Sequence, residues 1–419
     1  MTMRTGEGDA AETAETVARR RYGKLVAFLA ARTRNVSAAE DALSEAFAAA
    51  LAEWPRTGSP DNPEAWLMTV ARRRLIDASR RRQTGQAATP QVKLMQEELA
   101  AAERAEIPDH RLALMFACAH PAIEESIRAP LILQTVLGLN AQVIASAFLS
   151  SPTAMAKRLV RAKEKIRSAG IPFSIPPRDE LSQRLSAVLD AIYAAFSEGW
   201  TDPAGTDAAR RNLTGESLFL ARLAADLMPH ESEALGLAAL MFHSEARRAS
   251  RRNANGDYVP LAEQDIALWN AQLIAEADAL IRRAGAKGGI GRYEIEAALQ
   301  SAHAHRRIAG RDNWREIVAL YDALFVIAPS PVVAINRALA LAEVEDAATG
   351  LAKLPDAESD PQLASYQPYW AARAELLSRS GAAEAAAKSY DLAIGLERDP
   401  AVRKFLQARR ALMIGSSAQ

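Results

Sequence analysis

Apolar residues recur at helical spacing along almost the whole of this 419-residue chain, and nowhere do they settle into the alternation of a half-buried strand. Alanine and leucine dominate, β-branched alternation is scarce, and no hairpin signal appears, so the sequence predicts an all-α protein. A hydrophobic content of 49% is ample for packed cores, and the length suggests two or three domains. The single cysteine rules out an intramolecular disulfide and fits a reducing compartment. No apolar run approaches the roughly 18 residues of a membrane span. Residues 1–16 are polar and acidic, with no signal-peptide core. The expectation is a cytoplasmic protein, without a membrane partner, whose N-terminus over 1–16 is flexible. Net charge is zero, which argues against a wholly basic nucleic-acid binder, but the charge is segregated along the chain.

Val17–Arg32 reads as a first helix. Ser37 with Glu40 has the pattern of a capping box at the start of a second, Ala38–Trp54. Leu43, Phe47, Ala50, Leu51 and Trp54 form its apolar stripe, while Asp41 and Glu45, four apart, share another face. Pro55–Pro63 reads as a loop. The stretch NPEAWLMTVARRRLIDASRRR (Asn62–Arg82) follows, with Pro63 at a first helical turn. Its Trp66, Leu67, Val70, Ala71, Leu75 and Ala78 make a broad apolar face. Thr69, Arg72, Arg73 and Arg80 fall on an arc of roughly 100° away from the centre of that face. A solvated basic edge and a nucleic-acid contact both fit this pattern. Trp66 sits on the apolar face, which favours core packing over a stacking platform. Residues 84–107, polar and alanine-rich, read as a linker.

A second unit, 108–169, ends in LNAQVIASAFLSSPTAMAKRLVRAKEKIR. Ala141–Leu149 forms one helix. Ser151 as N-cap and Pro152 at the first helical position then restart the chain. Met155, Leu159, Ala162 and Ile166 form the inner face of the new helix, and Lys157, Arg158, Arg161 and Lys165 lie on the opposite arc. Two short helices with a tight turn, the second cationic outside, make a helix-turn-helix pattern. A plain helical hairpin with a solvated basic face is the alternative. GIPFSIPPR (Gly170–Arg178) cannot be helical and predicts a Pro-rich joint at 170–178. Residues 179–419 are helical again, without a comparable basic stripe. Tyr321 and Tyr390 begin similar stretches 69 residues apart, close to twice a period of about 34. Stacked helical hairpins of that period leave a concave face suited to a protein or peptide partner. A purely structural cap is the other reading.

Enzyme readings find little support. Cys118 and His120 have no second pair to complete a zinc site, and a core cysteine beside a capping histidine explains them better. His303 and His305 alternate and read as surface residues. No P-loop and no GxSxG occur. No catalytic residue, metal or cofactor is expected.

The order and spacing of these segments resemble the extracytoplasmic-function sigma factors. AEDALSEAF (Ala39–Phe47) looks like that family's helix gripping the clamp of RNA polymerase. DNPEAWLMTVARRRLIDASRRR (Asp61–Arg82) looks like its promoter-melting, −10-reading segment, and IASAFLSSPTAMAKRLVRAK (Ile144–Lys163) like its −35-reading motif. PDHRLALMFACAHPAI (Pro108–Ile123) and SPVVAINRALALAEV (Ser330–Val344) are similar to the subgroup with a long tetratricopeptide-like helical extension. The chain departs from common family residues at Ser44, Arg73, Leu149 and Ala154. The resemblance implies sigma region 2 over 17–83, sigma region 4 with its helix-turn-helix over 108–169, and a C-terminal tetratricopeptide-like domain over 179–419. It implies core RNA polymerase and promoter DNA as partners, with no catalytic chemistry. Asp41, Glu45, Phe47 and Leu51 would bind the polymerase. The loop Pro60–Asn62, with Asp61 and Asn62, would wall a pocket for an extruded base, and Arg72, Arg73 and Arg80 would follow phosphates. Thr153, Lys157, Arg158 and Arg161 would reach the major groove or its phosphates. Arg158 has a second reading, as a brace within the fold. A DNA-binding repressor or activator that never joins the polymerase, and a helical-repeat scaffold, remain alternatives.

Overall fold

The computed structural model describes residues 5–82, 109–147, 150–200, 208–288, 290–357 and 361–416. Among these residues the secondary structure is helical, with no strand and one isolated bridge between Arg252 and Tyr258. The all-α expectation is met. Packing divides the chain into two units, Met1–Leu220 and Ala221–Gln419. The stretch 84–107, expected as a linker, lies outside the described residues.

The first unit opens with α1 (Thr5–Thr33), α2 (Val36–Thr57) and α3 (Pro63–Arg82). They pack together around Leu25, Phe28 and Leu29 of α1, Leu43, Ala46, Ala50 and Trp54 of α2, and Leu67, Met68, Ala71 and Leu75 of α3. The α2 set recurs at three- and four-residue steps, which keeps one face of a helix on a core. Trp66 meets Trp54 edge to face with ring centres 5.4 Å apart, so it packs rather than offering a platform. Asn35 caps α2 by accepting the Ala38 N–H, and Asn62 caps α3 by accepting the Ala65 N–H at 3.1 Å. The expected Ser37–Glu40 box therefore does not start α2, which begins earlier, at Val36. The N-terminus also differs from expectation. Helix α1 already runs from Thr5, and Ala14 is buried, because alanines and glutamates there continue the helical pattern.

The described residues continue with α4 (Arg111–Cys118), α5 (Glu125–Leu137), α6 (Ala141–Ala147), α7 (Pro152–Ser168), α8 (Arg178–Trp200) and α9 (Ala208–Leu227). Both α4 and α5 lie against α1. The approach is closest at Gly23, where an added Cβ would stand 1.8 Å from the Val136 carbonyl oxygen. Only glycine lets the two backbones meet there. Helix α7 starts as its sequence predicts. Ser151 Oγ accepts the Ala154 N–H at 3.2 Å, Pro152 opens the first turn, and Met155, Leu159, Ala162 and Ile166 are its buried residues. Residues 148–149, including Leu149, lie outside the described ones.

The Pro-rich joint at 170–178 turns the chain but does not end the first compact unit. Ile171 and Pro176 are buried, and α8 then packs along α5 through a stripe that includes Leu181, Leu185, Val188, Leu189 and Ile192. Prolines forbid helix without forbidding burial, which is why the division falls at Leu220 and not here. Arg111 helps to hold this arrangement. Its guanidinium is 4% exposed, takes Asp109 at 2.9 Å and Glu216, and lies 4.4 Å from the Phe219 ring centre.

The second unit continues with α10 (Ser232–Ala246), α11 (Ala271–Gly285), α12 (Arg292–Ala309), α13 (Trp314–Ile327), α14 (Pro331–Val344), α15 (Ala347–Lys353), α16 (Pro361–Ala364), α17 (Gln367–Arg379), α18 (Ala383–Leu396) and α19 (Pro400–Ser416). Neighbours in the chain are mostly neighbours in space: α10 with α11 and α12, α12 with α13, α13 with α14, α14 with α15 and α17, and α17 with α18. Gly236 permits a close crossing of α10 and α12, since a Cβ there would stand 2.5 Å from the Glu294 amide nitrogen. Tyr321 and Tyr390 sit in α13 and α18. The helix after each opens with a proline, capped by Ser330 and Asp399 respectively.

Candidate polymerase and nucleic-acid interface

Helices α2 and α3 leave a cleft between them. Ala38, Ala42, Leu75 and Ala78 line it with small or apolar surface, and Asp41, Glu45 and Arg74 supply its charge. Asp41 and Glu45 are both exposed, four residues apart on one face, as their spacing requires. Arg74 Nε stands 3.2 Å from Glu45, but both side chains are about half in solvent, so water competes for this pair. One turn on, Phe47 is half-buried and Leu51 is 54% exposed. Leu51 was expected in the apolar stripe. Instead α1 and α3 pack on the side that buries Leu43, Ala50 and Trp54, and Leu51 is left facing solvent farther along α2 than the acidic pair. A helix that exposes both a leucine and a carboxylate pair is suited to a partner that brings both apolar surface and positive charge.

The cations of α3 separate into two kinds. Arg73 is exposed. Arg72 is only 8% exposed, with its guanidinium carbon 5.4 Å from the centre of the Phe28 ring, so it stands in the fold and not on a nucleic-acid face. Helical projection put the two neighbours on one arc, but α1 closes over the first and leaves the second open. Arg80 belongs to α3, with its side chain outside the described ones. Asp61 and Asn62 are exposed just before the helix, and Asn62 already uses its side-chain oxygen as the cap.

On α7, Thr153, Lys157 and Arg161 are exposed on the outer face, together with Val160 at 66%. Arg158 is a brace: its Nη2 donates to Glu124 at 3.0 Å and to Ser126 at 2.5 Å. The hydroxyl of Ser126 and the charge of Arg158 hold the Glu124 carboxyl below its ordinary range. Lys163, at the flank of the helix, reaches a different segment. Its Nζ stands 2.7 Å from Glu40 of α2, with side-chain exposures of only 11% and 16%. Burial pushes the Glu40 carboxyl above its usual range, against the opposing pull of Lys163. The two sets of candidate residues thus meet through one ion pair between residues 123 positions apart. Nothing local in the sequence signals that contact. The hint was only that Lys163 adjoins the buried Ala162 and so faces partly inward.

Other candidates stand apart from this surface. Cys118 is buried, with Thr135 Oγ1 at 3.5 Å, and burial raises its thiol to about 12. His120 accepts the Ala122 N–H. Among the described residues no group of side chains could hold a metal ion, and no helix is long and apolar enough to cross a membrane.

Residues 17–84 match the family Sigma-70 region 2, a segment that includes both helices of the cleft. Residues 184–285 match a family of unknown function, DUF6596. A relative from Rhizobium meliloti (strain 1021), the Uncharacterized protein R00370, is 38% identical over 370 residues and covers 87% of each chain. The chain belongs to that protein's family. Its N-terminal part is a sigma-70 region 2, which gives it a role in binding RNA polymerase and promoter DNA. No solved structure matches. Within this sigma-70 region 2 protein, the exposed acids and Leu51 of α2 and the exposed Arg73 of α3 lie on the matched segment, whereas α7 lies beyond it.

Proposed function

We propose that this protein is a sigma factor of the extracytoplasmic-function type. It joins core RNA polymerase through α2, opens promoter DNA with the start of α3, and reads a −35 element with α6 and α7 as a helix-turn-helix. The observation that carries this reading is the position of Asp41, Glu45 and Leu51 in solvent on the helix of sigma-70 region 2. Exposed carboxylates cost little to leave in water and steer a cationic partner, while the leucine adds apolar area on contact. Opening a duplex demands that an extruded base be received and its phosphates neutralised. Asp61 and Asn62 supply exposed groups for the first task and Arg73 a cation for the second. Thr153, Lys157 and Arg161 offer a hydroxyl, a point charge and a guanidinium to a major groove. The tetratricopeptide-like second unit either regulates this module or receives a partner protein.

The test is affinity for core RNA polymerase. Asp41→Lys with Glu45→Lys weakens binding at least about tenfold, roughly 1.4 kcal/mol, with helical circular dichroism preserved. Wild-type affinity in a folded double variant contradicts the assignment.

A further inference from the structure

Several arginines of the second unit have a carboxylate. Arg248 takes Glu245, Arg252 takes Asp399, Arg337 takes Asp322 and Arg379 takes Glu343. A group around the junction of α10 and α12 is held by neutral partners instead. Arg247, at the end of α10, donates from Nε to the His243 carbonyl at 3.2 Å and from Nη2 to the neutral Gln300 side chain. Among the described residues no carboxylate pairs with it, and burial alone lowers its guanidinium to about 10. On α12, Arg306 lies 4.5 Å from the centre of the Trp314 ring, and its buried Nε has no hydrogen-bond partner. His303, one turn earlier, meets the same Trp314 edge to face at 5.8 Å. It was expected at the surface, but α13 covers it. Burial, and then the charges of Arg247 and Arg306, push its imidazole down to about 4.

Two arginines, and the neutral histidine on which both their charges act, are thus gathered at one place, partly out of water, on neutral supports. The carboxylates of the neighbouring turns are already engaged: Glu245 with Arg248, Glu296 with Arg292, and Asp278 with Ser301 and His305. Like charges withdrawn from water are costly without a counter-charge. Trp269, whose ring centre lies 6.0 Å from the Arg247 guanidinium carbon, is itself held: it donates to Ser250, Ser250 donates to Gln264, and Arg307 donates to the Gln264 carbonyl at 3.0 Å.

We propose that Arg247, His303 and Arg306 form a recognition site for a carboxylate-bearing acidic peptide segment of a partner protein. The remaining guanidinium N–H groups donate charge-assisted hydrogen bonds to a carboxylate, and Trp314 beside Arg306 accepts an apolar flank. A nucleic acid is the weaker fit, because residues 221–419 carry 23 basic against 25 acidic side chains and offer no extended positive field.

The experiment uses the full chain and a fluorescently labelled octaglutamate peptide with a free C-terminal carboxylate, followed by anisotropy. Wild-type protein binds it saturably, and Arg306→Gln weakens it at least about fivefold. Arg247→Gln with Arg306→Gln weakens it at least about thirtyfold, while Arg282→Gln on the exposed side of α11 changes it less than about twofold. Arg306 has only its stacking contact to lose, so that variant keeps the question open even where the double variant is unstable. Absence of saturable binding, or equal binding by wild type and Arg306→Gln, overturns the proposal. So does competition by inorganic phosphate or random duplex DNA at concentrations where acetate and free peptide do not compete.

Discussion

The α2–α3 surface and the α7 surface carry similar numbers of charges and hold them differently. On the first, Asp41 and Arg73 stand in solvent, and Glu45 has only the half-exposed Arg74. On the second, Arg158 is bound to Glu124 and Ser126, and Lys163 is shielded on Glu40. An open charge adds little to stability and is available to a partner. A shielded charge does the reverse, because removing its mate leaves an ion without solvent. The first surface is therefore free to bind as it stands. The second devotes part of its cationic helix to the fold, and its remaining open groups are Thr153, Lys157 and Arg161.

The comparison breaks most severely if the two surfaces are parted. Gly23→Leu drives a side chain into the Val136 carbonyl and is expected to cost about 3 kcal/mol or more, read as a lower urea midpoint. A midpoint within about 0.5 kcal/mol of wild type would show that α1 and α5 do not meet this closely. Next in size is the shielded pair. Glu40→Ala and Lys163→Ala each destabilise by about 3 kcal/mol, whereas Glu40→Gln combined with Lys163→Met, which removes both charges, stays within about 1 kcal/mol of wild type. Equal losses for the single and double changes would place Glu40 and Lys163 among the open charges instead.

These two residues also mark where the sequence stops being informative. Its local rules located α7 well: a serine cap, a proline in the first turn, and four inner residues at helical spacing all stand as read. The same rules gave α2 a capping box at Ser37 that the fold does not use, because Asn35 reaches the Ala38 amide first. Helical projection cannot tell Arg72 from Arg73, since the ring that covers the former, Phe28, lies on another helix. Nor can it tell Leu51 from Ala50, as the edge that α3 covers depends on how two helices cross. The Pro-rich turn at 170–178 looked like a domain end because prolines break helices. That α8 folds back along α5 is a matter of apolar faces distant in sequence.

The smallest effects separate neighbours on α7. Arg158→Ala loses a solvent-screened surface pair and is expected to leave the urea midpoint nearly unchanged. Lys157→Ala leaves the urea midpoint unchanged and weakens promoter-duplex binding, lowering the slope of log affinity against log salt by about one unit. An unchanged slope would remove Lys157 from the phosphate contacts.

The central claim is that the open surface of α2 recruits RNA polymerase to promoters, and run-off transcription tests it most directly. Core polymerase is supplied with genomic fragments and either the wild-type chain or the Asp41→Lys, Glu45→Lys variant. The account predicts discrete transcripts from a small set of fragments with the wild type and their loss with the folded variant. Specific duplex binding without any transcript, or transcripts undiminished by the double charge reversal, would contradict it.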